Sequence, residues 1–490
     1  MRRFFVKNLL FTIGVNVLIM PLWVICIDRV VQNRVGAIQY GTYAPLLSLT
    51  LIFNIILDFG ITNYNTRTIS QNPDKLKELF PSMLTARIFM ALIYAIIVLG
   101  IGLICGYGRR EMMLLTGVIL IQGLSGVVQF LRSNVAALQK FRVDSVLSVS
   151  GRLLMLVICG ALLIYPATGR HFKIEWFIET QIICYFISAI ICLFVLNRIH
   201  PVSFRFSFHV PTLIKIIKDT LPYALLIFLM SVYTRSDVWL IQQLLPKAGK
   251  EQAGIYYAAY RWLDSSNMFS LLFAAILLPL FGRMLAQKQD VDHIVTLSVN
   301  MLLPVSFMVA VAAAFFGIPI MHVLYPAATA NEVAMNYYGK IFGWVMAAFP
   351  CFCIMYIYST LLTANGNLKI LNKLAFAGVV INLSLNLFLI PRMNAMGAAI
   401  TSVVTEGFMA IGFIVFCIRI LKVSLNVRWL LSHMGFFALT VLAGYASSLL
   451  HIYWLLELVS FGTAGVVLIF LFKFISVNSV ALFLNKRKEG

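Results

Sequence analysis

Fourteen stretches of helical length and mostly apolar character follow one another along the chain. They lie near residues 9 to 31, 43 to 62, 80 to 105, 112 to 136, 145 to 165, 174 to 196, 221 to 245, 255 to 281, 294 to 318, 334 to 361, 371 to 391, 397 to 418, 429 to 449 and 453 to 474. About 20 such residues carry an α-helix across the hydrocarbon of a bilayer, and a helix pairs its backbone groups within itself, as lipid demands. The chain is therefore expected to be an all-α integral membrane protein of about 14 transmembrane helices. With 61% hydrophobic and 11% charged residues among 490, against roughly 25% charged in soluble domains, no hydrophilic block is left for a separate domain. A soluble enzyme, a disordered chain, a disulfide scaffold and a single-anchor receptor are excluded. The first stretch is not read as a cleaved signal, because its apolar run exceeds an h-region of about 7 to 15 residues and no small-x-small site precedes Asp28-Arg29.

A net charge of +20 would point to nucleic acid in a soluble protein. Here its distribution points to topology. Of the 38 lysines and arginines, with those near span ends counted in the loops they adjoin, 24 fall in the segments on the N-terminal side of the membrane, 9 on the other side and 5 deeper within spans. Positive charge accumulates on the cytoplasmic side, so both termini of a multi-pass membrane protein are expected in the cytoplasm, without a nucleic-acid partner.

Catalytic signatures are absent from the sequence. No GxxxxGK[ST] occurs: Gly249-Lys250 runs into Glu251 and Gly339-Lys340 into Ile341, so no phosphate-cradling loop is expected. The seven histidines are scattered without ligand spacing, which argues against zinc. The eight cysteines all fall in expected spans without a CxxC pair and read as small buried hydrophobes. A membrane polymerase or ligase would need a sizeable loop holding an acid or base. The longest outer loop, near His322 to Val333, has one Glu and no Arg, and the longest inner connection, Asn197 to Thr220, is basic and reads as a linker against anionic headgroups. No catalytic residue, metal or organic cofactor is expected.

That linker separates six spans from eight, and the halves carry traces of a repeat. Gly36-Ala37-Ile38-Gln39-Tyr40-Gly41-Thr42-Tyr43 matches Ala253-Gly254-Ile255-Tyr256-Tyr257-Ala258-Ala259-Tyr260 at an offset of 217, with Ile, Tyr and Tyr in common. At an offset of 227, Ala137 and Gly151 match Ala364 and Gly378. Both place span n opposite span n+6, as in parallel repeats about an axis along the membrane normal. The expected organisation is an N-lobe at 1–197, a basic linker at 198–220, a C-lobe at 221–420, and two further spans with a basic tail at 421–490.

The run Val35 to Tyr43, then Leu57-Asp58-Phe59-Gly60-Ile61 and Thr66-Arg67-Thr68-Ile69, resembles the opening signature of the polysaccharide biosynthesis branch of the multidrug/oligosaccharidyl-lipid/polysaccharide exporter superfamily. Leu131-Arg132 through Ala137-Leu138-Gln139-Lys140-Phe141 to Arg152 is similar to its fourth and fifth spans. Asn382-Leu383-Ser384-Leu385-Asn386, with Ile390-Pro391 and Met396-Gly397-Ala398-Ala399-Ile400 to Glu406, is similar to its eleventh and twelfth. The resemblance implies a flippase that moves an undecaprenyl-diphosphate-linked oligosaccharide from the cytoplasmic to the outer leaflet for O-antigen, capsule or exopolysaccharide synthesis, by rocking two six-helix lobes around a central cavity. Polymerase and chain-length proteins of the same pathway are the partners it implies. A lipid II flippase and a multidrug cation antiporter are the alternatives within the superfamily; a polymerase or ligase is a more distant one.

A charge at mid-bilayer costs about 2.5 to 3.5 kcal/mol on insertion scales and asks for a reason. Arg235 and Asp237 lie deep in span seven and Glu406 in span twelve. Residues two apart on a helix face different neighbours, so Arg235 and Asp237 are expected to diverge unless the helix is unwound. Arg235 is read as a cavity cation for diphosphate or acidic sugar, with a buried ion pair as the alternative; Arg152, Arg87 and Arg261 are further substrate-binding candidates, the first two alternatively snorkelling to the headgroups and Arg261 pairing with Asp264. Asp237 and Glu406 either couple H⁺ or Na⁺ or balance nearby arginines. Asp58, Asp264, Asn382 and Asn386 are expected to be structural or gating, Asp264 by pairing with Arg261 at i+3 and the two asparagines as a polar stripe at i+4.

Overall fold

The computed structural model describes residues 19, 21–169, 171–202, 210–424 and 426–474. The basic residues Arg2, Arg3, Lys7, Arg170, Arg205, Lys486, Arg487 and Lys488, and most of the first span before residue 21, lie outside them. Among the described residues the regular structure is helical throughout. The helices are α1 (21–35), α2 (37–52), α3 (Ile61–Gln71), α4 (Leu76–Ile104), α5 (Arg109–Ala137), α6 (Phe141–Ile164), α7 (Ile174–Ile199), α8 (Val210–Leu244), α9 (Gly249–Ala286), α10 (Asp292–Leu324), α11 (Glu332–Ala347), α12 (Phe349–Ala364), α13 (Leu368–Met393), α14 (Ala395–Leu421), α15 (Val427–Ser448) and α16 (Trp454–Leu471).

Eleven of the described helices are long and apolar enough to cross a membrane, or twelve when the bent pair Pro21–Ile52 and Asn54–Gln71 is one span. Two features separate this from the expected fourteen. The helix α8, 35 residues long, is not in this count, and Pro21 to Gln71 counts as at most one span. Hydrogen bonding runs on from Arg29 to Ile52, yet Gly36 stands at φ 80°, ψ 167°, a conformation open to glycine. The Tyr40 hydroxyl donates to Asp28 Oδ1 at 2.7 Å. On an unbroken helix these residues would stand about 18 Å apart, beyond the reach of both side chains, so α1 and α2 meet at a sharp turn.

Span two breaks a second time. After Ile52 the chain narrows to a 3₁₀ turn at Asn54–Leu57, Phe59 and Gly60 take φ 38° and 78°, and α3 leaves at 54° to what precedes it. A carbonyl freed by such a break needs a donor. Thr220 of α8 supplies it, donating to the Phe59 oxygen at 2.8 Å.

The internal repeat is visible in backbone detail. Helices α5 and α12 end at Ala137 and Ala364, and α6 and α13 begin at Phe141 and Leu368, each pair 227 residues apart. The residue that closes the first of each pair is left-handed in both copies, Gln139 at φ 59° and Gly366 at φ 79°. Lys140 N donates to Val135 O and Asn367 N to Leu362 O, the long capping bond of a helix ended by a left-handed residue. At the 217 offset the equivalents touch one another. The Tyr40 and Tyr257 rings lie 5.9 Å apart, and a Cβ on Gly254 would overlap the carbonyl of Ala37, its own counterpart. Contact between equivalent residues is what a local twofold axis produces.

The chain groups into two compact units, 1–257 and 258–490, where a lobe boundary at 198–220 was expected. The first turns of α9, up to Tyr257, fall with the first unit because glycines let backbones meet there: a Cβ on Gly41 would overlap the Lys250 carbonyl, and Gln32 Nε2 donates to Gly254 O at 3.0 Å. The linker is also shorter than expected. Pro211 sits in the first turn of α8, where its missing N–H costs nothing, so Lys215 and Lys218 ride on a helix. In the second unit the final two helices pack on α10, Gly444 against Phe315 and Gly465 against Met308, with Phe307 stacked on Phe437 at 4.1 Å.

Candidate functional site

The break in span two opens a cavity of about 310 Å³ within the first unit, lined by Asn54 and Asp58 at the break, Arg87 of α4, Gln122, Ser125 and Gln129 of α5, and Ser231 and Arg235 of α8, with apolar residues between them. Each helix delivers its residues by spacing. Gln122, Ser125 and Gln129 stand at i, i+3 and i+7, one face of α5, and Ser231 and Arg235 at i and i+4 share a face of α8. Asn54 opens the 3₁₀ turn and Asp58 closes it, and both line the cavity.

Arg87 is 4% exposed. Its Nη1 donates to Gly126 O at 2.6 Å, and its Nη2 donates to the Asp58 carboxylate and the Thr62 hydroxyl. The guanidinium also lies over the Phe130 ring, 5.3 Å from its centroid, and its Nε meets no acceptor. Asp58 in turn receives the Thr62 N–H at 3.2 Å and so holds the start of α3. This cation is neutralised by the protein itself and forms a wall of the cavity.

Arg235 and Asp237 face different neighbours, and α8 is continuous through both; the unwound segment lies in span two instead. Arg235 lines the cavity. Asp237, 1% exposed, accepts from the Tyr256 hydroxyl at 2.9 Å. Arg152 on α6 is half-buried and is not among the lining residues. Arg261 and Asp264 lie one turn apart on α9, in the second unit, as does Glu406, buried on α14. Asn382 and Asn386 are fully buried on α13 and bond along their own helix, Asn386 Nδ2 to Asn382 Oδ1 at 3.1 Å.

Reading charges alone missed half of this cavity. Asn54, Gln122, Ser125, Gln129 and Ser231 are uncharged, and their signal is the polar i, i+3, i+7 spacing on an otherwise apolar α5. The amides and hydroxyls offer donors and acceptors in both senses, suited to a ligand rich in hydroxyls beside a cation suited to phosphate or carboxylate.

The sequence profile of the polysaccharide biosynthesis protein family matches residues 5–285. Among curated proteins none matches this chain. Solved structures share its fold at low identity. A lipid II flippase, MurJ, in an inward closed conformation aligns with a TM-score of 0.71 and 13% identity, over 99% of each chain. A multidrug resistance MATE family transporter of the MOP superfamily, inward-facing, aligns at 0.65 and 13% identity over 82% of this chain and 95% of its own. A MOP superfamily transporter from Pyrococcus furiosus, described by the reversed polarity of its binding pocket, aligns at 0.56 and 13% identity over 86% of this chain and 95% of its own.

Proposed function

Because the chain belongs to the polysaccharide biosynthesis protein family, we propose that it translocates an undecaprenyl-diphosphate-linked oligosaccharide from the cytoplasmic to the outer leaflet of the bacterial inner membrane, with both of its own termini cytoplasmic. The observation that carries this reading is the cavity at the broken span, where Arg235 stands among Asn54, Gln122, Ser125, Gln129 and Ser231. The arginine fork takes the diphosphate and the amide face of α5 takes sugar hydroxyls, while the polyprenyl tail stays in lipid. An organic cation would want a carboxylate there, and the one available, Asp58, is already bound by Arg87. No group in the cavity attacks or protonates a glycosidic bond in this reading, so the protein moves its substrate unchanged.

Membrane potential supplies the drive. Each elementary charge crossing 100 mV is worth about 2.3 kcal/mol, and a diphosphate carries about two negative charges outward from an inside-negative cell. Asp237, engaged by Tyr256, and Glu406 then balance charge and carry no coupling ion. The test is leaflet exchange in proteoliposomes with labelled undecaprenyl-diphosphate oligosaccharide. Arg235→Gln is expected to lose exchange while keeping its fold; normal exchange in that variant overturns the assignment, and exchange of lipid II at the same rate moves the substrate to the peptidoglycan precursor.

A further inference from the structure

A second polar cavity, about 390 Å³, lies between the 105–108 and 245–248 connections, lined by Tyr107, Glu111, Gln242, Gln243, Lys247 and Lys250 with Cys105, Gly106, Leu245 and Pro246. Helices α5 and α8 line both cavities. Glu111 precedes Gln129 by 18 residues, about 27 Å of helix rise, so the two stand toward opposite ends of α5. In the orientation proposed above, this second cavity opens to the outer side.

Its walls are built and internally braced. The Tyr107 hydroxyl accepts from Trp239 Nε1 and from Gln243 Nε2, each at 3.1 Å. With its oxygen so occupied, the phenol's own hydrogen is the group left to offer, and burial pushes its pKa up to about 12, which keeps that hydrogen in place at physiological pH. Gln242 Oε1 is shielded from solvent and meets no donor. Lys250 Nζ lies 2.8 Å from Glu111 Oε1, whose other oxygen receives the Gly108 N–H at 2.9 Å. Lys247 is exposed, so two ammonium groups stand against one carboxylate.

An apolar ligand would leave the Tyr107 hydrogen and the Gln242 carbonyl unmatched, and unmade bonds at shielded groups are costly. A ring bearing several hydroxyls matches both at once, since each hydroxyl donates and accepts. The volume lies in the range of small-ligand sites, about 300 to 1,000 Å³. The surplus lysine favours a ring that also carries a carboxylate. We propose that this cavity is a second saccharide site, holding an acidic sugar unit of the glycan on the outer side. The proposal rests on the reading of the chain as a carrier of lipid-linked glycan.

The test uses purified full-length protein in nanodiscs and saturation-transfer NMR with glucuronate, glucose and glycerol 1-phosphate as probes. Glucuronate is expected to bind more tightly than glucose. Gln242→Leu and Lys247→Gln are each expected to weaken glucuronate at least fivefold. Lys247 is exposed, so its loss leaves the fold intact and any effect is local. Equal glucuronate binding in wild type and both variants overturns the proposal, as does glycerol 1-phosphate binding as tightly as glucuronate, which would make this a lipid headgroup site. Leaflet exchange measured on the same samples separates the two readings. Exchange without a saccharide effect sinks only the second site; saccharide binding without exchange sinks only the transport reading.

Discussion

Replacing Asp58 with alanine takes the carboxylate away from a guanidinium whose side chain is 3% exposed, while Asp58 itself is 31% exposed. Breaking a buried pair from one side costs about 3 to 5 kcal/mol. Water already reaches Asp58, and an unfolded chain in a membrane finds other partners for its polar groups, so the loss falls to the bottom of that range or below it, about 2 to 3 kcal/mol. Arg87→Met removes the cation from the other side and leaves a carboxylate that water can still solvate, for a smaller loss. The double variant strands neither charge, and replacing both members of a buried pair is close to neutral. The double-mutant cycle should therefore return a coupling at least as large as the Asp58→Ala loss alone, about 2 to 3 kcal/mol, the upper end for residues in direct contact. Unfolding of the four proteins in mixed micelles measures it, and leaflet exchange of the double variant supplies a second reading. A coupling under about 0.5 kcal/mol refutes the argument that Arg87 is neutralised by Asp58. A double variant that is stable but exchanges nothing refutes its assignment as a wall and makes Arg87 a substrate ligand.

Gly254→Val should destabilise the protein by about 1 to 3 kcal/mol or more, as overpacking does, because the added atoms meet the Ala37 backbone, which cannot rotate away; an unchanged melting temperature would deny that close approach. Gln122→Leu and Gln129→Leu should each weaken substrate binding by about 0.5 to 1.5 kcal/mol, the worth of a hydrogen bond to an uncharged hydroxyl, and unchanged affinity of both for lipid-linked oligosaccharide would remove α5 from the site. On the proposed function, two charges cross per cycle, so accumulation in sealed proteoliposomes should rise about tenfold for every 30 mV of inside-negative potential; accumulation that follows a pH or sodium gradient and ignores potential would restore Asp237 or Glu406 as a coupling group.

The membrane class, the helix positions and the repeat could be read from the sequence because each rests on a local signal: apolar length, and matching residues at the helix ends. The pair Ala137 and Ala364, taken from the sequence as a weak identity, marks two helix termini with the same left-handed residue two positions on. What escaped was cooperative. Two residues apart, Arg235 and Asp237 point to different neighbours on a regular helix, as expected, and need no unwinding. The break lies instead at Phe53 to Gly60, where Gly60 supplies positive φ and Thr220, 160 residues later, receives the task of satisfying a carbonyl. No local pattern announces a partner at that separation. For Arg87 the sequence leaves a cavity cation and an arginine snorkelling to the headgroups both open, and nothing in its neighbourhood along the chain says that its partner is Asp58.

That pairing bears on how work is divided over a transport cycle. Arg87, Arg235 and Asp58 are the charged residues that line the cavity, and together they carry one net positive charge. On the proposed function, an empty cavity then moves inward as +1 and a cavity loaded with diphosphate moves outward as about −1. Both movements run downhill in an inside-negative membrane, each by about 2.3 kcal/mol per 100 mV. Without Asp58 the empty cavity would be +2 and the loaded one neutral, so the field would drive only the return. Without Arg235 the empty cavity would be neutral, and the whole field would act on the loaded step while nothing held the diphosphate in place. One carboxylate set against two arginines is the arrangement that shares the potential between both half-cycles, which gives Asp58 a reason to stand in the cavity wall beyond holding the start of α3.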